Sequence, residues 1–260
     1  MGVLNINSDS FFQESRINEK KFLKAFNIMI DDGADIVDIG AVSSRPGATN
    51  VSHEDELHRL KTIFDIVKQN RLYEQISLSI DSSSPLVLKH ACDSGFHIIN
   101  DITGLVNDEV CEIAAEHQSE VCIMHMQGTP QTMQKSPEYT NVLEEVYTFF
   151  ESRIKKANSF GIKKIILDVG IGFGKSLEHN IELIAKQSHF LALGYPLLVG
   201  ASRKSLINNI VPCNTEDRLP GTLVLHLKAI EQGASILRVH DVKEHYQAIK
   251  VIQKLNRVAP

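Results

Sequence analysis

The 260-residue sequence lacks several features that would assign it to a broad class of proteins at once. It has no run of basic residues and a net charge of −5, which argues against a dedicated nucleic-acid surface. An acidic net charge still permits a phosphorylated small substrate, because a few local cations can dominate a cleft. No apolar run is long enough to span a bilayer and no secretory leader is recognisable, so we expect a cytoplasmic protein.

The sequence also contains no pair of cysteines at the CxxC spacing. Its cysteines stand at Cys92, Cys111, Cys122 and Cys213. Their separation disfavours a zinc site and predicts buried free thiols in a reducing compartment.

A linker or low-complexity tract that would divide the chain is absent too, so residues 1–260 are expected to form one domain. One pattern repeats instead: a short apolar strand, a polar loop and an amphipathic helix. The predicted strands are 2–5, 35–40, 76–81, 97–101, 120–125, 164–168, 196–200 and 235–240. The predicted helices lie near 19–31, 54–69, 85–93, 108–117, 142–159, 177–186, 204–208 with 216–232, and 243–255. Eight such units in about 250 residues predict a single (β/α)8 barrel, a TIM barrel, with a doubly wound open sheet as the alternative.

The most distinctive local feature is the stretch DVGIGFGKS at 168–176, where three glycines at spacing two lie between a carboxylate and a lysine. It is not a phosphate-binding loop, because Val169 occupies the position of the first glycine. It is not a dinucleotide fingerprint either, because Lys175 occupies the position of the third glycine. Since glycine permits positive φ and close approach to the backbone, we interpret the stretch as a strand-to-helix turn of another kind.

Polar residues collect where the predicted strands end, which is the end of a TIM barrel that carries its chemistry. One group offers carboxylates and an amide suited to the donor edges of a nitrogen heterocycle: Asp81, Asn100 and Asp168, with Lys175 as a further donor. A second group offers cations and helix-terminal amides suited to phosphate or carboxylate: Arg45, Ser202, Arg203, Lys204, Arg238 and His240. Two oxygen ligands after the first strand can hold Mg²⁺ on a phosphate: Asn5 and Asp9. The sequence therefore predicts a cleft with two poles.

Each of these residues also has a purely structural interpretation. Asp81 can cap a helix, although a serine before Pro85 already supplies that cap. Asn100 and Asp101 can cap the turn that follows them, and His125, after an apolar strand, is more often a satisfied core histidine than a ligand. All of these interpretations would have to hold at the same end of the barrel, which favours a functional site.

Two of the cationic residues are harder to explain as structural. Arg238 and His240 lie at period two on one face of the last strand, whose alternate positions are Leu237 and Val239. A cation and an imidazole that point inward at a barrel mouth indicate an anion site.

Read in order, eight segments resemble the dihydropteroate synthase family. They are MGVLNINSDSF (1–11), DIGAVSSRPGA (38–48), SID (79–81), INDI (99–102), MHMQGTP (124–130), DVGIGFGK (168–175), GASRK (200–204) and RVHD (238–241). Some are weak alone, but together they are specific and extend over nearly the whole chain. The resemblance implies a TIM barrel, usually a homodimer and a sulfonamide target, that uses Mg²⁺ in folate synthesis. Such enzymes join 6-hydroxymethyl-7,8-dihydropterin diphosphate to p-aminobenzoate and release pyrophosphate.

The resemblance also implies roles for individual residues. The pterin contacts would be Asp81, Asn100, Asp168 and Lys204, with Met124 lining the same pocket. The diphosphate site would comprise Asn5, Arg238 and His240, with Mg²⁺ at Asn5. The second mobile loop would contribute Ser44 and Arg45, and p-aminobenzoate would contact Ser202 near Phe173 and Lys204. The candidate catalytic residues are Asp81, Asp168, Lys204 and Arg45.

Four departures from the family pattern affect these expectations. The family commonly has Gly-Glu-Ser-Thr at 41–44, Thr-Pro at 7–8 and Asp-Pro-Gly at 168–170, where this chain has AVSS, NS and DVG. The N-terminal hairpin that usually precedes the first strand is expected to be lacking. The first two departures fall in the loops that would close over the substrates (6–18 and 41–53), so we expect activity with altered loop closure or inhibitor response.

Two rival functions share the barrel. A pterin-dependent methyltransferase would need Asp81, Asn100 and Asp168 but not the cationic residues. A non-catalytic pterin-binding paralogue would bind the pterin tightly without turnover.

Overall fold

The computed structural model describes residues 1–6, 12–13, 16–43, 47 and 51–256. Eight parallel strands form one sheet whose spatial order follows the chain. They are β1 (Gly2–Asn5), β4 (Ile36–Gly40), β5 (Ser77–Asp81), β6 (Ile98–Asp101), β7 (Glu120–Met124), β8 (Ile165–Asp168), β9 (Leu197–Val199) and β10 (Ile236–Leu237). A short antiparallel strand pair that the sequence did not predict, β2 (Phe12–Gln13) with β3 (Arg16–Ile17), follows β1.

The sheet closes on itself just beyond its last strand. Val239 forms an isolated parallel bridge with Gly2. Its N–H donates to the Met1 carbonyl at 2.9 Å, and its carbonyl accepts from the N–H of Val3 at 2.9 Å. This closure confirms the predicted (β/α)8 barrel, and the doubly wound open sheet is wrong.

Helices alternate with the strands and mostly begin at a side chain that caps them. Ser52, Ser84 and Ser176, for example, each accept from a backbone N–H in the first turn of the helix that follows. The helices are α1 (Glu19–Asp31), α2 (His53–Gln69), α3 (Pro85–Cys92), α4 (Asp108–Glu116), α5 (Val142–Ser159), α6 (Leu177–Ala185), α7 (Ser205–Ile210), α8 (Leu219–Glu231) and α9 (Val242–Asn256). Within the described ranges, no helix combines the length and the apolar character that crossing a membrane requires.

The helix predicted over 216–232 is divided in the structure. A 3₁₀ turn, Glu216–Arg218, precedes α8, which has Pro220 in its first turn. Proline lacks an N–H and is favoured where a helix begins, so it sets the start of α8. The last strand is also shorter than its predicted range of 235–240, although its alternation persists: Leu237 and Val239 are buried, while Arg238 is partly exposed.

The strands change character along the inner face of the barrel. A small apolar cluster fills the floor: Met1, Ile98, Cys122, Ile166 and Leu198, with Ile36 and Ile236 packed against it. Because inward positions recur every second residue, the next inward positions toward the carboxyl ends are Asp38, Asn100, Met124, Asp168, Gly200 and Arg238. An apolar floor therefore lies beneath a polar mouth.

Candidate active site

A cleft opens at the carboxyl ends of the strands, directly above the apolar floor. It is lined by Asp81, Asn100, Ile102, Met124, Asp168, Phe173, Gly200, Lys204 and Arg238. Seven of these are site residues predicted from the sequence, and Ile102 and Gly200 complete the wall. The predicted Asn5, Ser202 and His240 are described but do not line this cleft, whereas Ser44, Arg45 and Asp9 lie outside the described residues.

Arg238 connects the two predicted poles. Its Nε donates to Asp38 Oδ2 and its Nη2 to Asp81 Oδ2, each at 2.6 Å. The two poles are therefore in direct contact, because the guanidinium predicted to bind an anion is bonded to the carboxylate predicted to bind the heterocycle. A bound anion would share Arg238 with these carboxylates.

Asp38 is a member of this cluster that the sequence reasoning did not single out. It is fully buried and also accepts from Ser79 Oγ at 2.6 Å and from Asn100 Nδ2 at 3.1 Å. Its signal in the sequence was a carboxylate at an inward position of an otherwise apolar strand, two residues before Gly40. Such a residue is expected to have buried partners.

Burial sets the charge state of the cleft. The pKa of Asp81 is raised to about 7, chiefly by burial; Arg238 works to lower this pKa and Asp38 to raise it. Burial also raises the pKa of Asp168. The N–H of Gly170 donates to Asp168 Oδ1 at 2.7 Å and lowers this pKa, but by less than burial raises it. For Arg238 burial works to lower the pKa, but Asp38 and Asp81 outweigh it and hold the guanidinium charged.

Lys204 brings a second cation to the cleft. It lies at the N-cap position of α7, and its Nζ donates to the Ile171 carbonyl. The ammonium stands 4.3 Å from the centre of the Phe173 ring, within cation–π range. Burial lowers the pKa of Lys204 to about 8, while Asp168 raises it.

The glycine stretch approaches protein backbone rather than presenting its own backbone to a ligand. Gly170 and Gly174 have φ of 67° and 59°. A Cβ on Gly170 would overlap the His125 carbonyl oxygen, and one on Gly174 would overlap the Gln127 carbonyl oxygen. These glycines therefore let the loop after β8 pack against the loop after β7, which fixes Asp168 at the root of the stretch.

Lys175 holds this loop together and does not line the cleft, so its prediction as a ligand donor is not supported. Its buried Nζ donates to the carbonyls of Phe173 (2.9 Å), Gly170 (3.1 Å) and His125 (3.2 Å) and lies 2.9 Å from His125 Nδ1. Burial lowers the pKa of Lys175 to about 7. Burial and Lys175 together lower the pKa of His125 to about 3, so the imidazole is neutral. The interpretation of His125 as a satisfied core histidine is confirmed.

The turn after β9 carries Ser202 beside His240. Ser202 Oγ accepts from the His240 N–H at 3.2 Å and lies 2.9 Å from its Nδ1. Arg203, grouped with the anion-binding cations in the sequence, instead forms two hydrogen bonds to Asp241, at 2.5 and 2.8 Å. Its guanidinium does not line the cleft.

The capping alternatives have different outcomes. Ser84 caps α3, so Asp81 is not needed for that purpose. Asn100 donates to Asp38 rather than capping a turn. Asp101 does hold its turn, because its carboxylate accepts from the N–H groups of Thr103 and Leu105 at 2.9 and 2.8 Å.

The donor set for a metal is sparse. Among the described residues no group of three or more His, Cys, Asp or Glu side chains could hold an ion. Asn5, half-buried at the end of β1, offers one amide oxygen. A single hard oxygen ligand suits Mg²⁺, which usually keeps water and takes most of its other ligands from substrate phosphates.

Comparison with known proteins gives this cleft a context. Residues 1–240 match the family described as Pterin binding enzyme. The chain is 42% identical over 256 residues to the dihydropteroate synthase of Escherichia coli strain K12, which covers 97% of this chain and 90% of that protein. It is 41% identical over 255 residues to the bifunctional dihydropteroate synthase/dihydropteroate reductase of Helicobacter pylori, covering 98% of this chain and 67% of that protein. The crystal structure of the Yersinia pestis dihydropteroate synthase with a sulfonamide drug complex matches with a TM-score of 0.91 and 37% identity, over 99% of this chain and 94% of that chain.

Proposed function

The chain belongs to the pterin-binding enzymes, among the dihydropteroate synthases, and we propose that the cleft at its barrel mouth carries out their condensation. It is a transferase of folate synthesis. The reaction joins 6-hydroxymethyl-7,8-dihydropterin diphosphate to p-aminobenzoate and yields 7,8-dihydropteroate and pyrophosphate. The observation that carries the proposal is the convergence of Asp81, Asn100 and Asp168 with Lys204 and Arg238 in one cleft.

The pterin ring occupies the carboxylate side of the cleft in this proposal. Asp81 and Asp168 accept from ring N–H and amino groups, and Asn100 pairs with a ring edge. Met124 provides an apolar face and Lys204 a donor. These contacts are supported because all five residues line one cleft above the apolar floor, and a hydrogen bond is stronger in surroundings of low dielectric constant than in water.

The diphosphate binds at Arg238 and His240 in this proposal. Arg238 is charged and already bonded to Asp81, so it can contact the diphosphate and the pterin-binding carboxylate together. Asn5 would contribute one oxygen ligand to Mg²⁺, which supplies charge stabilisation to the leaving diphosphate when bound.

The chemical step needs no enzyme nucleophile. The bond between the pterin methylene carbon and the diphosphate oxygen breaks, and its electron pair leaves with pyrophosphate beside Arg238. The positive charge left on the methylene is delocalised over the dihydropterin ring, where Asp81 and Asp168 stabilise it. The amine of p-aminobenzoate then forms the C–N bond and releases one proton.

In this proposal p-aminobenzoate binds on the side of Lys204 opposite to the pterin. Ser202 and Phe173 are the proposed contacts, supported by the position of the Phe173 ring against the Lys204 ammonium. Ser44 and Arg45 are proposed for the loop that closes over this site, and they lie outside the described residues. The homodimer and the cytoplasmic location stay predictions.

Of the two rivals considered from the sequence, the methyltransferase is less well supported by the cleft, and the paralogue is tested by turnover. A pterin-dependent methyltransferase would not need Arg238 against the pterin carboxylates or Lys204 at the cleft. A non-catalytic paralogue would retain the cleft and fail only in turnover.

The deciding experiment follows pyrophosphate release from the pterin diphosphate with Mg²⁺, with and without p-aminobenzoate, together with formation of dihydropteroate. Release that depends on the arylamine and matches product formation supports the synthase. Tight pterin binding without product would indicate the paralogue. A folded sample that binds no pterin would overturn the proposal.

A further inference from the structure

Helix α8 supplies two side-chain acceptors to the turn that carries Ser202 and Lys204. The N–H of Ala201 donates to His226 Nε2 and the N–H of Arg203 donates to Thr222 Oγ1, both at 2.9 Å. Thr222 and His226 are four residues apart and therefore lie on one face of the helix, opposite two alternate amides of the turn. All three of Ala201, Thr222 and His226 are buried.

A second histidine, His245 of α9, fixes the hydrogen positions in this network. Because His226 Nε2 accepts from Ala201, the proton of His226 lies on Nδ1, which faces His245 Nε2 at 2.8 Å. His245 then carries its own proton on Nδ1 and donates to the Asp241 carbonyl at 2.6 Å. Each hydrogen bond thus requires the next one, and both imidazoles are neutral.

The turn has a strained backbone conformation at Arg203, which its neighbours hold in place. Arg203 has φ of 54°, in the left-handed region that non-glycine residues seldom adopt. Its N–H is taken by Thr222, its carbonyl accepts from Arg218 at 3.0 Å, and its side chain is paired with Asp241. Strained backbone of this kind survives where the surrounding structure fixes it from several sides.

We propose that Thr222, His226 and His245, which we name the helix clamp, are positioning residues for the arylamine side of the cleft. They touch no substrate. They hold the backbone at 201 and 203, and so they place the side chain of Ser202 between those fixed points and that of Lys204 directly after them. Through the Asp241 carbonyl the same network reaches the residue after His240. The inference rests on the proposed roles of Ser202 and Lys204.

The test compares His226→Leu and Thr222→Val, which remove the acceptors, with His226→Gln and Thr222→Ser, which can keep them. His97→Leu is the control, because His97 Nδ1 also accepts a backbone N–H (that of Leu78, 3.4 Å) but at the floor end of the barrel. Wild-type turnover is measured first, so that failure of the proposed function is recognised separately as an inactive wild type.

We expect His226→Leu and Thr222→Val to lower kcat/KM for p-aminobenzoate by about 10- to 100-fold, since displacements near 1 Å at a reacting site have effects of this size. The affinity for a pterin without diphosphate should change less than kcat/KM for p-aminobenzoate does, because Asp81, Asn100 and Asp168 lie on other strands. The Gln and Ser variants should recover most of the loss. Amide hydrogen exchange at Ala201 and Arg203 should accelerate in the Leu and Val variants.

Two results would overturn the helix clamp. One is an unchanged kcat/KM in the Leu and Val variants, measured below their unfolding transitions. The other is a loss no larger than that of His97→Leu at equal loss of thermal stability. Either result would show that these residues contribute only to packing. The amide-exchange measurement tests the hydrogen bonds of the helix clamp, and it does so independently of which substrate the enzyme uses.

Discussion

At the scale of single residues, two carboxylates of the cleft, Asp38 and Asp81, depend on one cation, Arg238. Asp38 is fully buried and Asp81 nearly so, and both are bonded to Arg238. Removing one partner from a buried ion pair leaves the other charge without compensation, which costs about 3–5 kcal/mol. Arg238 therefore contributes to the stability of the empty cleft in addition to its proposed role toward the diphosphate.

Arg238→Ala should destabilise the protein by about 3–5 kcal/mol at pH 8 and by less at pH 5.5. The difference arises because Asp81, whose pKa is about 7 in the wild type, takes up a proton as the pH falls and no longer needs a cation. Urea unfolding at the two pH values measures the effect, with Arg238→Lys as the control that keeps a charge. An equal loss at both pH values would contradict the charge explanation.

Pterin binding should release a proton from Asp81 at slightly acidic pH. The pKa of Asp81 is raised to about 7, so the carboxyl group is mostly protonated at pH 6 and ionised at pH 8. Donor groups of the pterin favour the ionised form, so the affinity should rise from pH 5.5 to about 7.5 and then level.

Calorimetric titration in two buffers of different ionisation enthalpy would report the released proton directly. Asp81→Asn should bind more weakly and show no proton release that depends on the buffer near pH 6. A pH-independent affinity in the wild type would mean that Asp81 does not accept from the ligand.

The sequence predicted many of the residues in the cleft, because polar side chains at strand ends are brought to one mouth by the topology. It could not predict how these side chains pair. Arg203 and Arg238 are both arginines after strand ends, yet one is paired with Asp241 outside the cleft and the other reaches inward to Asp38. The choice depends on tertiary neighbours that the local pattern does not reveal.

At the scale of elements, the glycine stretch at 168–176 is where the loop after β8 packs against the loop after β7, a contact that we call the joint. The loop after β8 approaches the backbone at His125 and Gln127. The buried Lys175 joins the two loops, because its Nζ donates to the Gly170 and Phe173 carbonyls of its own loop and to the His125 carbonyl of the other. Asp168 is the first residue of the glycine stretch, so its position depends on how closely the two loops pack.

Gly170→Ala should reduce pterin affinity by tenfold or more and destabilise the protein, because the added Cβ would overlap the His125 carbonyl oxygen. Gly161→Ala is the matched control: Gly161 also has positive φ, of 84°, but an added Cβ meets nothing within 4 Å. It should cost only about 1–2 kcal/mol from the backbone conformation and leave binding unchanged. Equal effects of the two substitutions on binding would show that the joint does not position Asp168.

Helix and strand positions followed closely from the sequence because caps and period agree at most boundaries. The prediction was less accurate where backbone chemistry interrupts the pattern. Pro220 starts α8 after a 3₁₀ turn, and the last strand ends at Leu237 although the side-chain alternation continues to His240. Periodicity records which face a residue occupies, and hydrogen bonding alone decides where a strand ends.

At the scale of the whole molecule, the cleft collects its residues from distant parts of the chain. Asp81, Asn100, Met124, Asp168 and Arg238 come from or directly follow β5, β6, β7, β8 and β10. A ligand in the cleft therefore bridges strands around most of the barrel. The closing contact between Val239 and the first strand makes every one of these strands depend on its neighbours on both sides.

We propose on this basis that the barrel unfolds as one cooperative domain and that a pterin ligand shifts the whole transition. A ligand at 100 times its Kd stabilises the folded state by about 2.7 kcal/mol. In a protein of this size that corresponds to an increase in Tm of roughly 5–10 °C. Circular dichroism at the helix signal and thiol labelling of Cys122, which is buried in the barrel floor, should report the same midpoint with and without ligand. Midpoints that separate, or a ligand that shifts only one of them, would show that part of the barrel unfolds independently of the cleft.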